Sequence, residues 1–407
     1  MIPTLILGSP IMIDEYIWSL TNTTVSLTGR APGTIIPVHR CKGSAPGPER
    51  YIVTFNKVKV DDVQKLFGLG KLVPLRIIST STFSIPMDNG LLTKMQSHES
   101  VVSIRQVCPM KFVTTVKQDQ APWGIARLSR GAKKLSNKSL GLVHRFKYDS
   151  SAGACADIYF PDTGVQIAHN EFEGRARWPA EATFGDHREF AHVDDIGHGT
   201  QCAAIAAGVT YGVAKKAHVI AVKMGSRYES YSDNMIKALE WILANHDKSR
   251  VSIVSISSTV EDEPELDKAV ENLIKANIHV VVGAGNDNMD AKGLSPARVK
   301  SVITVGATAN NDGRAVDSNF GSVVDVYAPG KDITTAFIGA NDASTVQSGT
   351  SLATAHVSGL LAHELCRTGN VPPETMHTRL IDNSLKNVVY FLRDGDNNRL
   401  AQMAPLS

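Results

Sequence analysis

The stretch Ile158-Tyr159-Phe160-Pro161-Asp162-Thr163-Gly164 reads as a short buried strand that runs into an acid and then a turn. Branched and aromatic side chains favour a packed strand, and glycine supplies the turn that follows. Runs of the same kind recur at 219–222, 251–256, 278–282 and 302–305. Helical segments at 234–245, 263–276 and 348–365 lie between several of them or follow. Strands alternating with helices predict an α/β domain, a parallel sheet with helices on both faces. Open sheets of this kind gather ligand sites at the carboxyl ends of their strands, where Asp162 stands.

Two further motifs follow Asp162-Thr163-Gly164: His198-Gly199-Thr200 and Ser348-Gly349-Thr350-Ser351. Taken singly, each has an ordinary explanation. Asp-Thr-Gly is usually a turn, Ser-Gly-Thr is often a helix cap, and a histidine beside glycine is more often structural. Together they supply an acid, a base and a hydroxyl, each at a strand or helix end. A serine hydroxyl needs such a base at neutral pH, and the base needs an orienting carboxylate. The reading assigns Ser348 as nucleophile, His198 as base and Asp162 as orienting acid. A fourth segment, Val280-Val281-Val282-Gly283-Ala284-Gly285-Asn286, ends a buried strand in a glycine-rich turn. Asn286 is placed there to donate to a developing oxyanion, together with the N–H at the nucleophile.

Composition bounds the alternatives. The 407 residues are 43% hydrophobic, enough for a sizeable core and for two or three domains. A net charge of +2 without a polybasic run gives no support to nucleic-acid binding. No apolar run approaches the roughly 20 residues that span a bilayer. Five cysteines (Cys41, Cys108, Cys155, Cys202, Cys366) are too few for a disulfide scaffold, although one or two bridges stay open. Residues 1–30 lack the basic start and continuous apolar core of a secretory signal. The tripeptides at Asn22 and Asn137 are formal glycosylation sequons that prove nothing about secretion.

Ahead of the α/β region, residues 1–49 read as leader and linker, with Pro37, Pro46 and Pro48. Residues 50–116 then alternate strand, helix, strand, helix, strand, which fits a small α+β module. The main domain is assigned to 121–395 and a tail to 396–407.

The quoted motifs, with Ala121-Pro122-Trp123-Gly124-Ile125-Ala126-Arg127 and Tyr211-Gly212-Val213-Ala214-Lys215-Lys216, resemble the subtilases, and within them the proteinase K-like branch. The acid, histidine, serine order along the chain is that of subtilisin. The resemblance spans about residues 121–385. It implies a serine endopeptidase acting on protein or peptide through an acyl-enzyme, made as a zymogen, monomeric, and needing no cofactor for catalysis. It also implies that the module at 50–116 is an inhibitory, chaperoning propeptide, cleaved between about Val113 and Ala121. The compartment it implies is secreted or vacuolar.

Several positions depart from the family pattern. The substrate edge usually built as Ser-Leu-Gly-Gly is read here at Ser255-Ile256-Ser257-Ser258, with Gly285 opposite as a further substrate contact. The other edge falls near Arg227-Tyr228-Glu229-Ser230, without its usual glycines. Side chains there should narrow the cleft, since glycine permits close backbone approach. Ala355 replaces a proline, Gln201 replaces a second histidine, and Pro161 should end or bulge the strand it lies in. Cys202 is read as a buried core thiol. Asp325 matches a calcium-ligand position of that branch, completed by the Lys300 and Val302 carbonyls. His187, His192 and His198 with Asp186, Asp194 and Asp195 lack zinc-site spacing. Two rivals share the same residues: a pseudo-protease acting as a binding module, favoured by the altered edges, and an enzyme that passes the acyl group to another nucleophile.

Overall fold

The computed structural model describes residues 35–40, 50–56, 60–68, 76–107, 114–133, 135, 139–185, 191–227 and 230–406. Outside them lie both sequons' asparagines, Cys41, Cys108, Asp186, His187, Tyr228 and Glu229. The chain divides into two compact units, Met1–Met110 and Lys111–Ser407.

The first unit holds β1 (Val38–His39), β2 (Arg50–Phe55), α1 (Val60–Leu66), β3 (Arg76–Ser79), β4 (Thr82–Pro86), α2 (Asn89–Ser97) and β5 (Val101–Gln106). Its sheet runs β1-β5-β2-β4-β3, parallel only where β1 meets β5. Tyr51, Val53 and Phe55 point into the core while Ile52 and Thr54 stay half-buried, the two-residue period of a strand with one covered face. Asp88 caps α2 by accepting the Leu91 N–H at 2.7 Å. The predicted strand-helix alternation is present. Two strands escape that pattern: β3 is exposed at all four positions and carries no alternation, and β1 is only two residues long.

The second unit begins with β6 (Thr115–Ala121), α3 (Trp123–Leu128), β7 (His144–Asp149), β8 (Ala156–Asp162), β9 (Ala176–Arg177), α4 (His198–Ala207) and β10 (His218–Lys223). It continues through α5 (Ser232–Asn245), β11 (Val251–Ile256), β12 (Val260–Glu261), α6 (Pro264–Lys275), β13 (His279–Gly283), β14 (Leu294–Ser295), β15 (Ile303–Thr308), β16 (Val326–Pro329), β17 (Ile333–Ala336) and β18 (Ser344–Gln347). The elements α7 (Thr350–Thr368), α8 (Pro373–Asn383), β19 (Leu385–Lys386) and β20 (Arg399–Leu400) complete it.

Nine strands form one sheet in the order β19-β20-β16-β15-β13-β11-β8-β10-β9. All neighbours are parallel except β19 and β20. Successive residues of β8 face opposite cores. Ile158 and Phe160 pack with α4 and α7, while Tyr159 packs with α5 and α6. Both faces are therefore covered, and every residue of β8, β11 and β13 is buried. Pro161 does not end its strand. Pairing of β8 with β11 stops at Tyr159, and the strand runs on beside β10 with Val222 opposite Pro161. Beyond that point only one neighbour remains, so a missing N–H is tolerated.

Among the described residues a disulfide joins Cys155, just before β8, to Cys366 near the end of α7, across 211 positions. Cys202 is a free, buried thiol.

Candidate active site

Asp162 ends β8 and His198 opens α4, and a glycine lets the two elements meet. A Cβ built on Gly199 would lie 2.0 Å from the Gly164 carbonyl oxygen and 3.2 Å from the Asp162 Cβ. Any larger residue after the histidine would force α4 away from the acid. With glycine there, His198 Nδ1 stands 2.8 and 3.0 Å from the two Asp162 carboxylate oxygens. The acid is buried while the imidazole side chain is 34% exposed. Burial pulls the His198 pKa down, but the charge and hydrogen bond of Asp162, with Asp194 behind, outweigh it and leave it raised. That arrangement fixes the ring and leaves Nε2 for a reacting hydroxyl.

Adjacent aspartates hold the turn before α4. Asp194 accepts the Gly197 N–H at 2.7 Å, the Thr200 N–H at 3.0 Å, and the hydroxyls of Thr163 and Thr200 at 2.8 and 2.6 Å. It therefore caps the helix and ties it to the residue after Asp162. Asp195 accepts from Lys223 Nζ at 2.7 Å and from the Arg227 N–H at 2.9 Å. Burial pushes the Asp195 pKa up, but these donors prevail and hold it below the usual carboxylate range.

Ser348 lies elsewhere in the hydrogen-bond network. Its hydroxyl oxygen accepts the Asp332 N–H at 2.9 Å, and the hydroxyl donates to the Asp332 carboxylate at 3.3 Å. It follows β18 and stands outside α7, so the predicted assignment of the nucleophile to Ser348 needs correction. Ser351 is the serine on the first turn of α7. Its hydroxyl donates to the Ser257 carbonyl at 3.2 Å. Its own carbonyl lies 3.9 Å from the Cys202 sulfur, which the Ser257 hydroxyl approaches at 3.6 Å. The Cys202 sulfur in turn lies within 4.8 Å of ligand-type atoms of Asp162 and His198. Cys202 thus stands beneath acid, base and Ser351 together. Burial, with Asp162 nearby, pushes its thiol pKa well up, so it stays protonated as core. Sequence reasoning missed Ser351 because the motif offers two serines. The usable signal was the small-residue helix that holds Ser351 in its first turn, with Gly349 setting Ser348 outside it.

Asn286 lies where predicted, at the exposed turn after β13. Its Oδ1 accepts the Thr350 N–H at 2.8 Å, which leaves the amide N–H groups to donate outward. A Cβ built on Gly349 would sit 3.6 Å from Asn286 Nδ2 and 3.8 Å from the Ser351 nitrogen. Glycine keeps open the space these two donors flank. Gly285 is half-buried and donates its N–H to the Thr350 hydroxyl at 3.2 Å.

Two predicted substrate contacts are corrected. Ser255 and Ile256 belong to β11 and are fully buried, with the Ser255 hydroxyl accepting from Ser358 at 2.9 Å. Neither reaches the surface, because a central parallel strand is covered on both faces. Ser257 is half-buried just past the strand end, and the exposed edge begins at Ser258.

The residues around Asp325 do not fit a calcium ion. One carboxylate oxygen lies 3.1 Å from His377 Nε2 and the other accepts the Thr304 N–H at 2.8 Å. A calcium ion would have to displace an imidazole that protonation makes a cation itself. Among the described residues, only Asp162, His198 and Cys202 bring metal-ligand atoms together as a group. Of the cluster read above as lacking zinc-site spacing, Asp186 and His187 lie outside the described residues, and His192 packs edge-on against Trp178.

A parallel α/β sheet with a carboxylate-held imidazole beside a helix-borne serine defines a serine hydrolase of the subtilisin type. The Subtilase family profile matches residues 160–403. Subtilisin-like protease 2 of Pseudogymnoascus destructans is 36% identical over 346 residues, 82% of this chain and 84% of that protein. The subtilisin-like serine protease Rho m 2.0101 of Rhodotorula mucilaginosa is 40% identical over 60% of this chain and 71% of its own length. The crystal structure of a cold-adapted subtilisin-like serine proteinase superposes with a TM-score of 0.63 at 31% identity, over 70% of this chain and all of that one. The chain belongs to the subtilase family. It is a serine endopeptidase acting on protein substrates, and its catalysis needs no cofactor. Among the described residues no helix is long and apolar enough to cross a membrane.

Proposed function

We propose that Ser351 is the nucleophile, His198 its general base and Asp162 the carboxylate that orients the ring. The observation that carries this is the Asp162–His198 pair at 2.8 Å, facing the first turn of α7 across Cys202. Rotation of the Ser351 hydroxyl away from the Ser257 carbonyl turns it to His198 Nε2. The imidazole takes the proton as the oxygen attacks the scissile carbonyl, then returns it to the leaving amine. Asn286 Nδ2 and the Ser351 N–H stabilise the oxyanion at a helix N-terminus, where the partial positive charge adds to both donors. Water then repeats the cycle on the acyl-enzyme. An active-site phosphonate should label the wild type and Ser348→Ala but not Ser351→Ala. Labelling that survives Ser351→Ala and vanishes in Ser348→Ala would sink this assignment.

The small first unit acts in this reading as the propeptide, inhibiting the mature enzyme until it is cut away. Pairing of β6 with β7 and the bond from the Ser150 N–H to the Thr114 carbonyl support a cut ahead of Thr114. N-terminal sequencing of the mature protein tests that boundary. No structural calcium sits at Asp325, because His377 and the Thr304 N–H already engage its carboxylate.

A further inference from the structure

Lys223 is the last residue of β10 and lies directly opposite Asp162 in the parallel ladder. Its side chain is 0% exposed, and the Asp195 side chain is 1% exposed. A buried ammonium is tolerated only when its three donors all find acceptors. Here they reach the Thr163 carbonyl at 2.7 Å, the Val193 carbonyl at 3.1 Å and Asp195 Oδ1 at 2.7 Å. Thr163 follows the catalytic acid. Val193 and Asp195 belong to the turn that leads into His198. The ammonium group therefore spans the two segments whose relative placement sets the acid–imidazole distance. Asp195 extends the link by accepting the Arg227 backbone N–H at 2.9 Å, and the Arg227 guanidinium also donates to the Asp195 backbone carbonyl at 2.5 Å.

We propose that Lys223, with Asp195, is a positioning residue of the peptidase. Its ammonium locks the strand end carrying Asp162 against the turn carrying His198, and ties both to the segment at Arg227. Asp194 does the neighbouring task for the helix itself, so the two aspartates divide one function. Lys223 touches neither substrate nor reacting atoms and acts only through the triad.

The inference rests on the peptidase reading, and its test separates the two. The full chain and its mature product would be assayed on a chromogenic peptide, with kcat counted per folded molecule. Lys223→Met leaves the buried Asp195 carboxylate only the half-exposed Arg227 guanidinium, at 3.3 Å, as cation, so the double variant Lys223→Met/Asp195→Asn, which removes both buried charges, guards against simple misfolding. Lys237→Met, which breaks an exposed pair with Asp233, serves as control. A displacement of the acid or base by about 1 Å costs on the order of 100-fold, so kcat should fall by about that factor in the double variant. KM should stay within about threefold, since uniform substrate binding is untouched. A double variant that folds and keeps the wild-type kcat would overturn the proposal, as would one whose whole loss lies in KM. A double variant that fails to fold, while Lys223→Met folds with full kcat, would overturn it equally. If Ser351→Ala retained activity, the assignment of Ser351 as nucleophile would fall instead, whatever the outcome at Lys223.

Discussion

The Ser351 hydroxyl donates to the Ser257 carbonyl at 3.2 Å, which joins the first turn of α7 to the chain just past β11. That contact parks the proposed nucleophile at the carboxyl end of the sheet, where Asp162 and His198 also stand. Ser348, three residues earlier, is held by Asp332 instead. Ser351→Ala should therefore reduce kcat by about 10⁶-fold, the scale for losing a triad nucleophile. Ser348→Ala should cost less than about tenfold, through a loosened β18 end. Steady-state kinetics of the two variants decides between the serines.

Asn286→Ala should lower kcat by about 10²–10³-fold with little change in KM, because the donor is used only once the oxyanion forms. A change confined to KM would show that Asn286 holds the ground-state peptide.

With His198 as the proposed base, its raised pKa should set the acid limit of activity. The base must be neutral, so activity is lost as pH falls through its folded pKa, which lies above the ordinary 6.5. The acid limb of kcat/KM should accordingly appear above 6.5. Asp162→Asn removes the charge that raises it, so the limb should move down while kcat drops by about 10⁴-fold.

Stability should fail at the acid end for a different reason. Burial lowers the pKa of His279, His356 and His363 to about 4 each. Between about 4 and 6.5 the unfolded chain binds more protons at these sites, so stability present above 6.5 is lost as pH falls towards 4. Each contributes roughly a few kcal/mol to the loss summed over that window. His363 Nε2 accepts the Asp149 N–H at 2.8 Å, a bond that protonation abolishes. Thermal unfolding of an inactive Ser351→Ala chain between pH 4 and 7 should show the fall, and His363→Gln, which keeps an acceptor, should flatten it.

Calcium at Asp325 has a similarly direct check. The shift in Tm between millimolar calcium and chelator should be the same in wild type and in Asp325→Asn. A calcium response that disappears in Asp325→Asn would show that the ion displaces His377.

Much of this was legible in the sequence. Asp162 and Asn286 each stand where a continuous apolar strand run breaks into a glycine turn, and His198 opens a small-residue helix, so chain order and local pattern locate them. The choice between Ser348 and Ser351 was not legible, because it turns on which residue starts the helix. Ser255 and Ile256 misled because a strand buried on both faces shows no alternation to mark a substrate-facing side. Lys223 gave no signal, since an isolated lysine after a strand is usually solvated. The Cys155–Cys366 pairing depended on contacts 211 positions apart.

That disulfide has a topological consequence. It closes the backbone into a loop containing Asp162, His198, Asn286 and Ser351, so one cleavage anywhere between Cys155 and Cys366 opens the loop without releasing a fragment. A protease surrounded by its own active copies would survive a first nick as a single covalent molecule, and lose mass only after a second cut or a reductant.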